Sequence, residues 1–136
     1  SPEIVTSLAD IAPVAAVRGN NDRGDWASAL PETLRRDVEG VRIWMLHARQ
    51  DLGRLPAPAG TDVVVVGHSH RPEDCRLEPD GPRLINPGSA GRRRFRLPVT
   101  CALAEIEAGA ITVVHHELVE LPPAGRRTRR TAKPQA

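Results

Sequence analysis

A run of four valines, residues 63–66, is followed directly by Gly67-His68-Ser69-His70. Four consecutive β-branched apolar residues predict a short strand buried on both faces, as found inside a parallel or mixed sheet. Open α/β sheets bind ligands at the carboxyl ends of their strands, and neutral imidazole is the commonest protein ligand for divalent transition metals. The stretch therefore indicates an α/β fold with a metal site at one sheet edge. The alternative is a buried strand that ends in two solvated histidines.

The rest of the chain predicts further short elements, most of them strands. Ser1-Pro2 is a favourable helix start, and apolar residues at helical spacing predict a helix over about 2–11 that ends before Pro13. Strands are predicted at 14–17, 34–38, 41–46, 63–66, 74–78 and 83–86, with a closing hairpin of 100–106 and 110–121. Any crossover helix between the strands at 41–46 and 63–66 is short, at about 51–55, because Pro56 and Pro58 follow.

Length and composition favour one domain over residues 1–121, followed by a disordered basic tail over 122–136. That tail carries five of the nineteen Lys and Arg residues, which leaves fourteen basic against seventeen acidic side chains in residues 1–125. The body is therefore mildly acidic, and its charge does not favour nucleic-acid binding. Two cysteines and the lack of a signal sequence or a long apolar run predict a cytoplasmic protein without a membrane partner.

Three loops at predicted strand ends each offer ligands for a divalent metal. Asn20 and Asp22 follow the first predicted strand, His47 follows the strand at 41–46, and His68 and His70 follow the valines. Carboxamide and imidazole ligands without a thiolate suit Mn, Fe, Zn or Ni better than Ca or Mg.

The order Gly19-Asn20-Asn21-Asp22, strand-His47, Gly67-His68-Ser69-His70 and Asn86-Pro87-Gly88-Ser89 resembles the calcineurin-like metallophosphoesterase superfamily. The similarity is greatest to its small single-domain bacterial and archaeal phosphodiesterases and covers roughly residues 1–121. Each motif alone is a weak signal, whereas all four in this order form a strong one. The resemblance implies a two-sheet β-sandwich flanked by helices.

The same resemblance implies a role for each of these residues. Asn20, His47 and His68 would ligate one metal ion and His70 another, with two Mn²⁺ ions expected and Fe, Zn or Ni as alternatives. Asp22 would support the asparagine loop from outside the ligand set. Substrate contacts are expected from Asn86, Ser89 and Arg93, although a basic turn at Arg92-Arg93-Arg94 could equally be solvated. The implied reaction is hydrolysis of a small phosphodiester or phosphomonoester at a dinuclear centre.

The chain lacks two motifs of the family, the early Asp-x-His and the following Gly-Asp, whose aspartate bridges the ions. By resemblance, an upstream strand-helix-strand unit is missing, through either a fragment or a misplaced gene start. We therefore expect this chain alone to bind at most one metal well and to catalyse poorly.

Two other functions are weighed against this one. A non-catalytic relative could use the same fold as an interaction scaffold, as a retromer subunit of this fold does. A nucleic-acid-binding module driven by the arginine tail is the third hypothesis, which the lack of interleaved aromatic residues disfavours. His115 and His116 are expected to be surface or packing histidines and not ligands. The oligomeric state, including a homo-oligomer, stays open.

Overall fold

A computed structural model of the chain describes residues 1–94 and 96–118. Its main sheet has five strands in the order β1-β2-β3-β5-β4. Strands β2 (Val41–Leu46), β3 (Val63–Val65) and β5 (Arg83–Pro87) are parallel and form the centre, whereas β1 (Thr33–Val38) and β4 (Pro72–Arg76) are antiparallel edges. The parallel strands end at one edge of the sheet, where two of the three predicted ligand loops, that of His47 and that of His68 and His70, follow β2 and β3.

The valine run forms the buried middle of this sheet, as predicted. Val63 and Val64 are 1% and 0% exposed. Val64 packs on one face with Leu46, Val66 and Leu84, and Val63 packs on the other with Val41 and Ile85. Because successive side chains of a strand point to opposite faces, an uninterrupted apolar run fits a strand covered on both sides.

A second sheet consists of β6 (Thr100–Glu107) and β7 (Ala110–Glu117), which form an antiparallel hairpin. Ile106, Ile111 and Val113 from this hairpin pack on the Val41 face of the main sheet. The opposite face is covered by residues around the 3-10 helix Arg49–Gly53, including Leu52 and Leu55. The predicted α/β fold with two sheets is therefore confirmed.

Two helices lie in the amino-terminal quarter of the chain. Helix α1 spans Pro2–Ala9, two residues shorter than predicted, and none of its residues is buried. Ile4 and Leu8 on its apolar face are 60% and 50% exposed. Helix α2, Asp25–Ser28, was not predicted from the sequence.

The strand predicted at 14–17 is wrong. Within residues 1–94 and 96–118, no strand pairs with this segment, and Val14 is 40% exposed. A strand needs a hydrogen-bonded neighbour, so apolar composition alone does not produce one. One backbone hydrogen bond, from Arg18 N to Pro31 O at 2.8 Å, fixes the end of the segment beside the site.

The bounds of the other predicted elements agree with the structure to within two residues, apart from the carboxyl end of the last strand. The basic tail predicted at 122–136, and the last residues of the predicted final strand, lie outside the described residues. In the part of the chain that the structure describes, no helix is long and apolar enough to span a membrane.

Candidate metal centre

The three predicted ligand loops meet in one cavity of about 310 Å³. It lies at the carboxyl ends of the parallel strands, as expected for an open α/β sheet. The residues that line it come from four segments of the chain, which are Val17, Gly19, Asn20, Asn21, Asp22, His47, His68, His70, Gly88, Ser89 and Arg94. All four predicted metal ligands and Asp22 are therefore neighbours in space.

Three of the predicted ligands direct polar atoms at one point. His47 Nε2 lies 2.8 Å from Asn20 Oδ1 and 3.0 Å from His68 Nδ1. The imidazole rings of His47 and His68 meet edge to face, with centroids 4.9 Å apart. The backbone supports this approach, because Gly67 N donates a hydrogen bond to His47 O at 2.9 Å.

Hydrogen bonding alone does not satisfy this group of atoms well. The amide oxygen of Asn20 accepts only, so its contact needs a proton on His47 Nε2. That single proton cannot also lie along the line to His68 Nδ1. A cation satisfies all three lone pairs together, and two ligand atoms at right angles around an octahedral ion, each about 2.1 Å from it, lie about 3.0 Å apart. The residues present therefore fit a divalent ion.

The surroundings of His47 favour its neutral form. Burial lowers the pKa of the imidazole, and the neighbouring His68 lowers it further, while the carboxylates of Asp22 and Asp51 act in the opposite direction. Neutral imidazole is the form that binds metals, because protonation would occupy the lone pair.

Asp22 is placed to support the asparagine loop and does not direct its carboxylate at the three converging atoms. Its Oδ2 accepts a 2.7 Å hydrogen bond from Gly19 N. A side chain at Gly19 would lie 3.2 Å from that same oxygen and 3.2 Å from His47 Cε1. Glycine at position 19 thus lets the loop, the carboxylate and the His47 ring approach one another closely.

The Gly67–His70 loop holds its two histidines in an uncommon backbone conformation. His68 and His70 have φ values of 66° and 60°, in the left-handed region that non-glycine residues seldom occupy. Such strain persists only where surrounding contacts enforce it, and it concentrates at functional sites. In this conformation both histidines line the same cavity.

Asn86 does not contact the cavity, in contrast to the predicted substrate role. It is 1% exposed, and its Nδ2 donates to Gly67 O and Ser69 Oγ, each at 3.0 Å. Its Oδ1 accepts from Gly88 N at 3.0 Å. Because it is buried and joins two loops, Asn86 positions the site, while Gly88 and Ser89 supply the cavity surface.

Arg94, and not Arg93, is the arginine that lines the cavity. Arg93 Nε donates to Leu97 O at 3.1 Å. The arginine of the basic turn that lines the cavity therefore differs by one residue from the predicted Arg93. Side chains in an irregular loop do not alternate in direction with a fixed period. The sequence Arg92-Arg93-Arg94 therefore does not reveal which arginine faces the cavity.

The supporting contacts of two residues were missed by sequence reasoning, which expected His115 to be a surface or packing histidine. Thr100 Oγ1 donates to Pro87 O at 2.8 Å, and Thr100 N donates to Ser89 O at 2.9 Å. His115 Nε2 lies 2.8 Å from Asn86 O. No local signal marks these contacts, because they join strands that are far apart in the chain.

None of the three converging side chains is a carboxylate. Over residues 1–94 and 96–118, no three side chains of the His, Cys, Asp and Glu types form a group that could hold a metal ion. The converging set consists of two imidazoles and one amide, and none of these three side chains would neutralise the charge of a divalent ion.

A family model for the calcineurin-like phosphoesterase superfamily domain matches residues 1–109. A probable metallophosphoesterase of Methanothermobacter thermautotrophicus is 35% identical over 110 residues, which cover 76% of this chain and 62% of the relative. A probable metallophosphoesterase of Methanocaldococcus jannaschii is 35% identical over 97 residues, 64% of this chain and 46% of the relative. The chain thus spans about half to three fifths of the curated relatives it matches.

Solved structures of similar fold were also found. A Thermotoga maritima protein has a TM-score of 0.64 at 28% identity and covers 87% of this chain and 74% of its own. Vps29 from Entamoeba histolytica in complex with Zn²⁺ has a TM-score of 0.62 at 21% identity, over 85% and 75% of the two chains. A novel archaeal phosphodiesterase has a TM-score of 0.59 at 18% identity, over 85% and 77%. The chain belongs to the calcineurin-like phosphoesterase superfamily.

Proposed function

We propose that this chain provides the histidine and asparagine side of the metal centre of a phosphodiesterase. The observation that carries this proposal is the convergence of Asn20 Oδ1 and His68 Nδ1 on His47 Nε2, at 2.8 and 3.0 Å. These atoms would hold one divalent ion, and His70, which lines the same cavity, would contribute to a second. Bound there, such ions would lower the pKa of a bound water and stabilise negative charge on the phosphoryl oxygens.

The proposed metal is Mn²⁺, with Zn²⁺ as the main alternative. Nitrogen and amide-oxygen ligands without a thiolate suit either ion. Support for Zn²⁺ comes from the zinc complex of the structurally similar Vps29. We expect weak binding, because the converging side chains carry no negative charge to offset the dication.

Arg94 and Ser89 are the proposed substrate contacts. Both line the cavity that contains the four ligands. A guanidinium matches the geometry of phosphoryl oxygens, and a hydroxyl can donate to one of them.

The proposed substrate is a small phosphodiester, supported by the likeness to an archaeal phosphodiesterase, with a phosphomonoester as the alternative. The proposed setting is the cytoplasm, consistent with free thiols at Cys75 and Cys101.

A non-catalytic scaffold is the second candidate function. Its support is the converging set of the described residues, two imidazoles and one amide, which brings no negative charge to offset a dication. Such a protein could keep the fold, and even bind a metal, without hydrolysing a phosphate ester.

The test combines metal binding with hydrolysis. Mn²⁺ and Zn²⁺ are titrated by calorimetry into the 136-residue chain, and hydrolysis of bis-p-nitrophenyl phosphate and of p-nitrophenyl phosphate is followed with and without chelator. The variant is His68→Ala. The matched control is His116→Ala, which removes an exposed imidazole from β7.

We expect metal binding and slow diester hydrolysis that chelator and His68→Ala abolish and His116→Ala leaves unchanged. Metal binding without hydrolysis of either ester would favour the scaffold. Binding that survives His68→Ala would contradict the proposed ligand set.

A further inference from the structure

His115 lies on the second sheet, away from the cavity, yet it contacts the main sheet at a residue that supports the metal centre. Its Nε2 lies 2.8 Å from the backbone oxygen of Asn86, in a partly buried setting. A carbonyl oxygen only accepts, so the imidazole must donate through a proton on Nε2. The two sheets are therefore joined by a side-chain hydrogen bond at this position.

Asn86 connects His115 to the Gly67–His70 loop. Its buried side chain donates to Gly67 O and Ser69 Oγ, the residues that flank His68 on either side. Ser69 in turn lies between the two histidines that have positive φ values. A shift of the Asn86 backbone would change both hydrogen bonds and release the enforced conformation of the loop.

Other contacts fix His115 relative to Asn86. Arg83, at the start of β5, donates from Nη1 to Ile111 O of β7 at 3.0 Å. The side chains of Ile111 and Val113, which share the inner face of β7 with His115, pack on the main sheet. Packing of Ile111 and Val113 therefore holds β7, and with it the His115 imidazole, against the main sheet.

We propose that His115 is a positioning residue for the metal centre and acts through Asn86 on the Gly67–His70 loop. This inference rests on the proposed function in that it treats His68 and His70 as ligands. Its mechanical part, the control of the loop by His115, does not depend on any activity.

The first measurement needs no metal. Hydrogen exchange of the Asn86 side-chain amide and the Ser69 backbone amide is followed by NMR in four proteins: wild type, His115→Leu, His115→Gln and His116→Leu. Leucine keeps apolar packing but has no donor, whereas glutamine places an amide donor close to the position of imidazole Nε2. His116→Leu is the matched control, because His116 neighbours His115 but points to the opposite face of β7.

We expect exchange at Asn86 and Ser69 to be about five- to tenfold faster in His115→Leu, since one buried hydrogen bond is lost. His115→Gln should restore most of the protection, and His116→Leu should leave it unchanged. Equal exchange in wild type and His115→Leu, with both folded by circular dichroism, would overturn the proposal.

The second measurement is the Mn²⁺ affinity of the same four proteins. Supporting residues outside the ligand set typically change metal affinity by about 10- to 100-fold, and His115, one step further out, should change it by about fivefold. We expect Mn²⁺ affinity to fall in His115→Leu and to be restored in His115→Gln. If wild type binds no Mn²⁺, the proposed function fails, while the exchange rates still decide the role of His115. If wild type binds Mn²⁺ and His115→Leu and His115→Gln bind it equally well, the link from His115 to the metal centre is wrong.

Discussion

His47 Nε2 and His68 Nδ1 lie 3.0 Å apart, although 21 residues separate the two histidines in the chain. Parallel pairing of β2 with β3 creates this proximity, because Ile43, Trp44 and Met45 align with Val63, Val64 and Val65. Both strands therefore deliver their following residues to the same edge of the sheet, and a hydrogen bond from Gly67 N to His47 O fixes the two loops together.

This relationship predicts that the two histidines act as one unit in metal binding. His47→Ala and His68→Ala should each reduce Mn²⁺ affinity by roughly a hundredfold or more, because losing a ligand exceeds the effect of losing a supporting residue. The double variant should lose little more than either single one, since the remaining ligands cannot hold the ion. Calorimetric titration of all three proteins checks this, and strictly multiplicative losses would show that the two imidazoles bind independently.

Gly19→Ala should disturb the site without unfolding the chain. The added Cβ would lie 3.2 Å from Asp22 Oδ2 and 3.2 Å from His47 Cε1, so both side chains must shift by a few tenths of an ångström. Overpacking of this kind costs about 1 kcal/mol or more, which corresponds to roughly a fivefold loss of metal affinity. The measurement is Mn²⁺ affinity together with the thermal unfolding midpoint.

The matched control for this substitution is Gly53→Ala, because a Cβ at Gly53 meets no atom within 4 Å. It should leave both quantities nearly unchanged. Wild-type metal affinity in Gly19→Ala would contradict the close approach of loop and ligand.

The sequence predicted the centre of the main sheet well, for a physical reason. A run such as Val63–Val66 can be buried only between two covered faces, and the alternation of Val41, Ile43 and Met45 is typical of a strand. His47, His68 and His70 follow the parallel strands β2 and β3, so this topology made them predictable as neighbours. Asn20 was placed beside them through a predicted strand at 14–17 that does not form.

The rest depends on contacts that sequence patterns do not encode. Whether residues 14–17 form a strand is decided by a pairing partner and not by their apolar side chains. The inward side chain of the arginine triplet depends on the path of an irregular loop. The buried state of Asn86 follows from hydrogen bonds to Gly67, Ser69 and Gly88, which connect the loop after β3 with the loop after β5. None of these is a local property of the chain.

Gly88→Ala should be strongly destabilising. Gly88 has a φ of 82°, and a Cβ there would lie 1.8 Å from Thr100 Oγ1, which is itself bonded to Pro87 O. Backbone strain contributes about 1 kcal/mol, and the steric overlap adds about 1–3 kcal/mol to the loss of unfolding free energy. Urea unfolding measures the total.

Gly109→Ala separates these two contributions. Its φ of 80° is nearly the same, but a Cβ at Gly109 meets nothing within 4 Å. It should cost only the backbone part, about 1 kcal/mol. Thr100→Ala in the Gly88→Ala background should recover part of the difference. Equal destabilisation by the two glycine substitutions would show that the Thr100 contact has no role.

The Asp74–Arg83 ion pair should make stability depend on pH in the acid range. Arg83 donates from Nε and Nη2 to the two carboxylate oxygens at 2.7 and 2.6 Å, and this bonding lowers the pKa of Asp74 below its ordinary value of 3.8. A carboxyl group with a lowered pKa in the folded state stabilises the fold above its ordinary pKa. That stabilisation is lost as pH falls through the lowered value.

Asp74→Asn should therefore reduce the unfolding free energy by about 1 kcal/mol at pH 7, and its deficit should shrink below pH 4. Unfolding by urea at several pH values measures the deficit. Asp62→Asn is the comparison, because Asp62 accepts two hydrogen bonds from the Arg42 guanidinium in a more exposed position. It also accepts one from Arg42 N, which an asparagine oxygen can keep, so its deficit should be smaller and more sensitive to salt. A deficit in Asp74→Asn that does not vary with pH would contradict an electrostatic origin.

Arg94→Gln should weaken substrate binding more than it slows the reaction. Arg94 lines the cavity, whereas Arg93 Nε donates to the backbone of Leu97. In the proposed complex the guanidinium would contact the phosphoryl group in both ground and transition states, so its loss would remove uniform binding. We expect KM for bis-p-nitrophenyl phosphate to rise about five- to tenfold, as for loss of one charge-assisted hydrogen bond, with a smaller change in kcat.

Arg92→Gln is the matched control, because it removes the same charge two residues away from an exposed position. It should leave KM within about twofold of wild type, since an exposed charge outside the cavity acts only through screened long-range attraction. Raising the ionic strength should reduce any effect of Arg92→Gln but keep most of the effect of Arg94→Gln. An equal rise of KM in both variants would mean that the basic turn attracts substrate through its total charge, and that no single arginine contacts the phosphoryl group.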